Sequence, residues 1–184
     1  MIKEKKELKV EIEIPEGVNV EVVNGIVKAK GKAGEVSKLL FNPNIKIEVV
    51  DKNVNITAIK STKRERKLVN SYAAHVRNIL NGSNEKYIYK LKICSGHFPM
   101  SVAVKDNEFI VKNFFGEKIP RIIKIKEGAD VKVEGDIINV ESPNKEIAGQ
   151  VAADIEHLTK RANYDSRVFQ DGIWITEKAG KKIK

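Results

Sequence analysis

Two stretches of the chain decide its fold: Tyr72-Ala73-Ala74-His75-Val76-Arg77-Asn78-Ile79 and Val151-Ala152-Ala153-Asp154-Ile155-Glu156-His157-Leu158. They run in the same helical register, and each follows a similar series of short runs that are typical of strands. Farther upstream, Gly34 matches Gly116 at a distance of 82 residues. A self-similar period of this length predicts a duplicated structural unit. The segment 160–184 has no counterpart after the first helix, so it is a candidate for a specialised function.

The composition fits two small folded domains with an affinity for polyanions. The 184 residues are 41% hydrophobic, which is enough apolar material for a core in each half. The 34 Lys and Arg residues outnumber the 25 Asp and Glu residues, which gives a net charge of +9 and a pI near 9.5. This excess favours nucleic acid as the partner class.

Cysteine usage and hydropathy indicate a soluble protein of the cytoplasm. The single cysteine, Cys94, cannot form an internal disulfide or a zinc ribbon. No run approaches the ~20 apolar residues of a membrane span, and the amino terminus lacks the apolar core of a signal peptide. We therefore expect no membrane partner.

Alternating apolar and charged residues predict short antiparallel strands in each half. Asn24-Gly25 separates two such runs, and this dipeptide is the strongest short hairpin signal. The predicted strands are Leu8–Ile14, Val18–Val23, Ile26–Lys30, Leu39–Phe41, Ile45–Val50 and Val54–Ile59 in the first half, and Tyr87–Cys94, Ser101–Lys105, Phe109–Asn113, Ile119–Ile125, Val131–Glu134 and Ile137–Val140 in the second.

One amphipathic helix closes each series of strands. Thr62 and Glu65 have the spacing of a capping box at the start of the first helix, and Gly82 is typical of a helix end. Pro143 suits the first turn of the second helix. The sequence therefore predicts an α+β fold of two tandem duplicated domains, 1–82 and 83–184, each an antiparallel β-sheet packed against one α-helix. A basic C-terminal tail, 157–184, completes the second domain.

The positive charge is not spread evenly. Lys and Arg exceed Asp and Glu by six in residues 1–82, fall one short in 83–156 and exceed them by four in 157–184. Because the body of the second half is neutral, the excess in the tail is a local feature. We interpret the tail as a basic loop, a hairpin with its tight turn at Asp171-Gly172 and a basic end. Its cations are Lys160, Arg161, Arg167, Lys178, Lys181, Lys182 and Lys184.

A second group of cations surrounds Glu65 at the start of the first helix. The helix dipole disfavours positive charge there by roughly 0.3 to 1 kcal/mol per residue. Bound phosphate groups would compensate, and a solvated face paired locally with Glu65 is the alternative. The members of this group are Lys60, Lys63, Arg64, Arg66 and Lys67.

No pattern in the sequence supports catalysis, a cofactor or a metal site. His75 and His157 lie within the helices, and only His97, in a loop with Gly and Pro neighbours, is a candidate contact residue. Cys94 is interpreted as a small buried hydrophobe. Trp174 could stack on a base, although packing is the more common use of such a residue. We expect neither enzyme activity nor a small-molecule substrate.

Four stretches of the sequence carry a family resemblance. They are Ile14-Pro15-Glu16-Gly17-Val18, Tyr89-Lys90-Leu91-Lys92-Ile93-Cys94-Ser95-Gly96-His97-Phe98-Pro99-Met100, Glu127-Gly128-Ala129-Asp130-Val131 and Phe169-Gln170-Asp171-Gly172-Ile173-Trp174-Ile175. Together they resemble the L6 family of large-subunit ribosomal proteins, and their residues are similar to those of its archaeal and eukaryotic branch. The likeness covers nearly the whole chain except the first few residues.

The resemblance implies a structural component of the cytoplasmic ribosome. It places the two domains on large-subunit rRNA near the sarcin–ricin loop and the base of the lateral stalk, beside neighbouring ribosomal proteins and the site where translation factors dock. In that family the second domain and tail make the principal RNA contacts. The implied rRNA-binding residues are Lys160, Arg161, Arg167, Gln170, Lys178, Lys181 and Lys182, with His97, Lys118 and Arg121 on neighbouring loops. The stretch Ala162–Ser166 is less basic than the family pattern.

A different class of function stays open at this point. A protein-binding adaptor would use exposed sheet edges or faces to dock other proteins, and its charge would serve solubility. Such a protein would bind its partners independently of salt and would not bind rRNA.

Overall fold

A computed structural model describes residues 8–60, 62–165 and 167–183. The chain divides into two compact units with the boundary between Lys86 and Tyr87, here called unit 1 and unit 2. Lys184 of the predicted basic tail and Ser166 lie outside the described residues. No helix within the described ranges is long and apolar enough to cross a membrane.

Unit 1 is built from two three-stranded antiparallel sheets and one helix. One sheet has the order β2-β3-β4 and the other the order β1-β6-β5. The elements are β1 (Leu8–Glu13), β2 (Asn19–Val23), β3 (Ile26–Gly31), β4 (Gly34–Leu39), β5 (Ile45–Val50), β6 (Asn53–Ala58) and α1 (Lys63–Asn84).

The residues of unit 1 explain these elements. Asn24 and Gly25 both adopt positive φ, 50° and 78°, as a two-residue hairpin between β2 and β3 requires. The inward residues of the strands meet the apolar stripe of α1. Val27, Val54, Ile56, Val69 and Val76 are completely buried in this core.

Helix α1 begins after Thr62, as predicted, but its cap and its C-terminal end differ from the prediction. The Thr62 side chain makes no capping hydrogen bond, so the predicted capping box is wrong. The helix also continues through Gly82 to Asn84. The buried Ser83 hydroxyl donates to the carbonyls of Ile79 and Leu80, which keeps its side chain within the last turn. The Ser83 carbonyl lies against Gly31, where a Cβ atom would sit only 2.4 Å from the oxygen.

Unit 2 repeats this plan and extends it. A three-stranded sheet has the order β10-β9-β8, and a five-stranded sheet has the order β11-β12-β7-β13-β14. The elements are β7 (Tyr87–Cys94), β8 (Ser101–Lys105), β9 (Glu108–Lys112), a 3-10 turn (Phe114–Gly116), β10 (Arg121–Lys124), β11 (Asp130–Glu134), β12 (Ile137–Ser142), α2 (Lys145–Leu158), β13 (Gly172–Lys178) and β14 (Lys181–Lys182).

The two units correspond strand by strand. In unit 1, β6 lies between β1 and β5; in unit 2, β12 lies between β7 and β11 in the same way. The extension comes from the tail, because β13 pairs antiparallel with the other edge of β7. Ile173 of β13 is buried, and its backbone N–H donates to the Thr159 hydroxyl at the end of α2. The tail is therefore part of the unit 2 sheet rather than an appendage.

The predicted α+β class and the tandem duplication of sheet and helix are confirmed, with three local corrections. The strands of each unit divide between two sheets. The predicted strand Leu39–Phe41 is wrong, because β4 spans Gly34–Leu39. The predicted turn at Asp171-Gly172 is also wrong, since Gly172 begins β13 and the chain reverses at Ala179 and Gly180, both with positive φ.

Candidate nucleic-acid interface

The ten predicted binding residues all lie in unit 2, where they form two groups at opposite ends of β13. Gly172 pairs with Cys94 at one end, and Lys178 pairs with Tyr89 at the other. A strand of this length spans about 20 Å. Lys178, Lys181 and Lys182 form the hairpin group. The loop group consists of His97, Lys118, Arg121, Lys160, Arg161, Arg167 and Gln170.

The hairpin group presents three exposed lysines on a short β-ribbon. Lys178 lies directly opposite Lys181, and Lys182 lies opposite Glu177. Glu177 also forms an ion pair with Lys90 at 3.1 Å. Like charges that face each other across an antiparallel pair are destabilising. The ribbon therefore concentrates positive potential that an anionic partner would relieve.

Arg161 in the loop group rests on aromatic rings. Its guanidinium carbon lies 4.3 Å from the ring centre of Tyr164 and 5.3 Å from that of Phe115. Phe169 packs at an angle against both rings, at 5.2 Å from Tyr164 and 6.0 Å from Phe115. A cation over an aromatic face gains roughly 0.5 to 1 kcal/mol at an exposed site. The rings of Phe115, Tyr164 and Phe169, here called the aromatic shelf, hold the exposed guanidinium of Arg161 in one place while leaving its N–H donors available.

The backbone at Phe115 adopts a left-handed conformation, with φ of 50°. A non-glycine residue in this conformation costs roughly 1 to 2 kcal/mol. The turn brings the Phe115 ring against His97, Tyr164 and Phe169. The strained residue is thus the one on which the aromatic shelf depends.

Asp171 joins the tail to the loop that contains His97. Its carboxylate accepts hydrogen bonds from the backbone N–H groups of Gly96 and His97 and from His97 Nδ1. The Asp171 side chain is only 7% exposed, whereas that of His97 is 43% exposed. The Nδ1 contact fixes the orientation of the imidazole, and the ring also packs 5.2 Å from Phe169. We call this arrangement the Asp171 clasp.

The clasp contributes to the acid stability of unit 2. Burial favours the neutral carboxyl, but the hydrogen bonds from His97 and Gly96 outweigh it and hold the pKa of Asp171 below its usual range. A depressed folded-state pKa gives stability that is complete above the ordinary aspartate pKa and is lost as the pH falls through the lowered value.

We expect Asp171→Asn to destabilise unit 2 by about 1.5 to 3 kcal/mol at pH 7, because hydrogen bonds to a charged group are lost. The deficit should shrink as the pH falls through the lowered pKa of Asp171, because the carboxyl of the unsubstituted protein then becomes protonated. Urea unfolding followed by Trp174 fluorescence measures this, since the chain has one tryptophan and it lies in unit 2. A deficit that is independent of pH would contradict the charged clasp.

Arg167 and Gln170 are less available than the sequence suggested. The Arg167 guanidinium donates to both carboxylate oxygens of Asp165, at 3.1 and 2.9 Å. That side-chain hydrogen bond lowers the pKa of Asp165 and partly neutralises Arg167. Gln170 is exposed, but its side-chain amide donates to the Arg167 carbonyl at 3.4 Å, and its backbone carbonyl accepts from the Trp174 indole N–H at 3.0 Å. Lys160 follows Thr159, the residue that caps the end of α2, and is exposed.

Arg121 has a structural position, while Lys118 is exposed. Arg121 donates from Nε and Nη2 to Glu117 and from Nη1 to the Leu158 carbonyl at 2.6 Å, and it lies 4.4 Å over the Phe114 ring. Its hydrogen bond lowers the pKa of Glu117. Three of its five N–H donors are therefore used within the protein, which favours a positioning role at the end of α2.

Sequence reasoning missed the residues that hold this surface in place. Phe115, Tyr164 and Asp171 belong to three different segments, and no local pattern indicates that they meet. Trp174 is 40% exposed beside Lys92 on the outer face of the five-stranded sheet, so it is not a packing residue of the core. Among the described residues, no cluster of His, Cys, Asp or Glu side chains could hold a metal ion.

Comparison with known proteins gives one consistent result. The family model described as Ribosomal protein L6 matches residues 14–82 and 98–172, one segment in each unit. The chain is 44% identical over 174 residues to the large ribosomal subunit protein uL6 of Methanosarcina mazei, covering 95% of this chain and 99% of the relative. It is 43% identical to uL6 of Methanococcus vannielii, covering 94% and 95%, and 42% identical to uL6 of Nanoarchaeum equitans, covering 96% of each.

Proposed function

The chain belongs to the ribosomal protein L6 family, and we propose that unit 2 attaches it to large-subunit rRNA near the sarcin–ricin loop and the stalk base. Membership makes the protein a constituent of the large subunit of the cytoplasmic ribosome, with rRNA and ribosomal proteins as its partners. It also makes the protein a structural component rather than an enzyme.

The observation that carries the proposal is the way unit 2 presents its cations. The hairpin lysines stand on β13 and β14, of which β13 is paired with β7, and Arg161 rests on the Tyr164 and Phe115 rings. Cations that are already ordered lose little conformational entropy when they meet phosphate groups. Folded RNA is recognised mainly by its shape and its backbone, so such an array suits it without reading base edges.

The proposed contact residues separate by role. Arg161, Lys160, Lys178, Lys181 and Lys182 neutralise phosphates. His97 and Gln170 provide hydrogen bonds beside the Asp171 clasp, and Lys118 adds charge nearby. Arg121 and Arg167 support the loop through Glu117 and Asp165, so their loss acts indirectly. Translation factors lie close to this surface in the proposed location.

Unit 1 provides an apolar strip suited to a neighbouring ribosomal protein. Val23, Ile26 and Leu39 lie in one row across β2, β3 and β4, and all three are exposed on the outer face of that sheet. Exposed Phe41 follows Leu39 in the chain. Apolar side chains grouped in this way are typical of the centre of a protein interface.

Tethered hydroxyl-radical probing tests the proposed location. In a Cys94→Ser background, Lys160→Cys and Lys181→Cys each receive an iron chelate, and the full chain is assembled into large subunits that lack it. We expect rRNA cleavage at the sarcin–ricin loop and the stalk base from both positions.

The control for this experiment is Lys52→Cys, an exposed position in unit 1. Cleavage from the unit 2 positions that falls in another region of the rRNA would refute the location. Assembly without rRNA cleavage from either unit 2 position would show that unit 2 does not lie against rRNA, and would refute the proposed attachment.

A further inference from the structure

The outer face of α1 carries strong positive charge that the proposed unit 2 interface does not use. Lys63, Arg66, Lys67 and Arg77 follow the helical spacing of one exposed stripe, and Arg64 is exposed beside it. The stripe from residue 63 to residue 77 is about 21 Å long. It therefore exceeds the reach of a single bound anion.

Nothing within the helix neutralises this face. Glu65 is the one acidic residue of α1, and it is turned inward, with 7% of its surface exposed. Within the part of the chain that the structure describes, no carboxylate forms an ion pair with the five cations. The local pairing with Glu65 that would have explained the group is absent there.

Helix stability does not explain the cations either. Four of them lie in the first turns of α1, where the dipole disfavours positive charge, and the Thr62 side chain makes no compensating cap. The corresponding helix in unit 2 shows the ordinary pattern. Helix α2 has an Asn144 cap and Glu146 in its first turn, and its three acidic residues outnumber its one lysine.

The composition of the stripe identifies the partner chemistry. Between and beyond its cations lie Asn70, Ala74 and Asn81, so the stripe has no large apolar residue. Protein interfaces need an apolar or aromatic centre, whereas interfaces with nucleic acid are polar and strongly positive. Asn side chains donate readily to phosphate and sugar oxygens.

We propose that the outer face of α1, formed by Lys63, Arg64, Arg66, Lys67 and Arg77, is a second RNA-binding surface that contacts the phosphate backbone of folded rRNA. This inference rests on the proposed function, since it assigns unit 1 its own contact with the same class of partner. The protein then holds rRNA through two separately charged surfaces, one in each unit.

Three variants of the full chain with equal charge loss test this surface. The α1 variant carries Lys63→Gln, Arg64→Gln, Arg66→Gln and Lys67→Gln. The unit 2 variant carries Lys160→Gln, Lys178→Gln, Lys181→Gln and Lys182→Gln. The control variant replaces exposed lysines elsewhere in unit 1, namely Lys28→Gln, Lys30→Gln, Lys46→Gln and Lys52→Gln.

The dissociation constant for purified large-subunit rRNA is measured between 50 and 400 mM KCl. Each phosphate contact contributes about 0.9 to the slope of log K against log salt concentration. For the α1 variant we expect the magnitude of this slope to fall by about 3 to 4. Its affinity for the rRNA at 0.1 M salt should fall roughly 10²-fold or more. Its thermal midpoint should equal or exceed that of the unsubstituted protein, because unfavourable charges leave the helix start.

Each outcome separates this inference from the proposed function. If the α1 variant behaves like the control while the unit 2 variant loses slope, the α1 surface is refuted and the unit 2 interface stands. If neither loses slope, the unit 2 interface fails as well. If the α1 variant keeps its rRNA slope but no longer enters large subunits, the face binds protein, and the RNA assignment is overturned.

Discussion

A chain truncated after Lys160 is expected to lose the fold of unit 2 while unit 1 stays folded. The truncation removes β13, whose Ile173 is 1% exposed, and leaves β7 as an edge strand with unpaired backbone groups. It also removes the bonds from the Ile173 and Ile175 N–H groups to Thr159 and Glu156, which tie β13 to α2.

The size of these losses decides the outcome. Burying one isoleucine side chain contributes roughly 1.5 to 3 kcal/mol, and a domain of this size is stable by only about 5 to 15 kcal/mol. The loss of Ile173, of half-buried Ile175 and of one side of the β7 ladder together removes most of that margin.

Amide NMR spectra distinguish the two units. We expect the unit 1 resonances to keep their positions and those of unit 2 to collapse into the unfolded region. Deletion of residues 181–184 is the matched control, because it removes β14 and its lysines but leaves β13 in place. Native unit 2 resonances in the longer truncation would show that β13 is dispensable. Until that is known, truncation cannot measure what the tail charges contribute to RNA binding, whereas point substitutions can.

The unit 2 variant, with glutamine at Lys160, Lys178, Lys181 and Lys182, should bind large-subunit rRNA roughly 10²- to 10³-fold more weakly at 0.1 M salt. The slope of log K against log salt concentration should fall by about 3 to 4 if all four lysines contact phosphates. The fold should persist, since all four side chains are exposed and Lys178 and Lys181 repel each other across the hairpin.

Equilibrium binding over a salt series measures both quantities, and thermal unfolding checks the fold. The control variant in unit 1 loses the same net charge, so it separates a local contact from general attraction. We expect its slope to change little. Equal losses of slope in the unit 2 variant and the control variant would mean that rRNA binding depends only on the net charge of the protein. That result would contradict a defined interface in unit 2.

Local patterns were sufficient to predict most elements of the fold. The Asn24-Gly25 hairpin, the alternating strands and the apolar stripes of α1 and α2 are each encoded within a few neighbouring residues. The duplication could also be read directly, because the two helix stretches repeat after 79 residues and the glycines upstream of them repeat after 82. The start of α1 after Thr62 was predicted correctly, but the capping box was not, because the Thr62 side chain has the spacing of such a box without its hydrogen bond.

The functional surface could be predicted only in part, because long-range contacts build it. The charge count indicated the tail, but Asp171 resembles a turn residue until Gly96 and His97 are placed beside it. Likewise, Arg161 is an ordinary helix-terminal cation until Phe115 and Tyr164 lie against it. The role of 172–178 as a strand depends on an open edge of β7, some 80 residues earlier in the chain.

The position of β13 in the chain determines the order in which the two units can fold during synthesis. Unit 1 is assembled from contiguous segments and can close once residues up to Lys86 have emerged. In unit 2, by contrast, β7 cannot pair with β13 until Lys178 has been synthesised. One edge of β7 therefore stays unpaired in the nascent chain from the synthesis of Cys94 until that of Lys178, and during this interval it is a site that chaperones can cover.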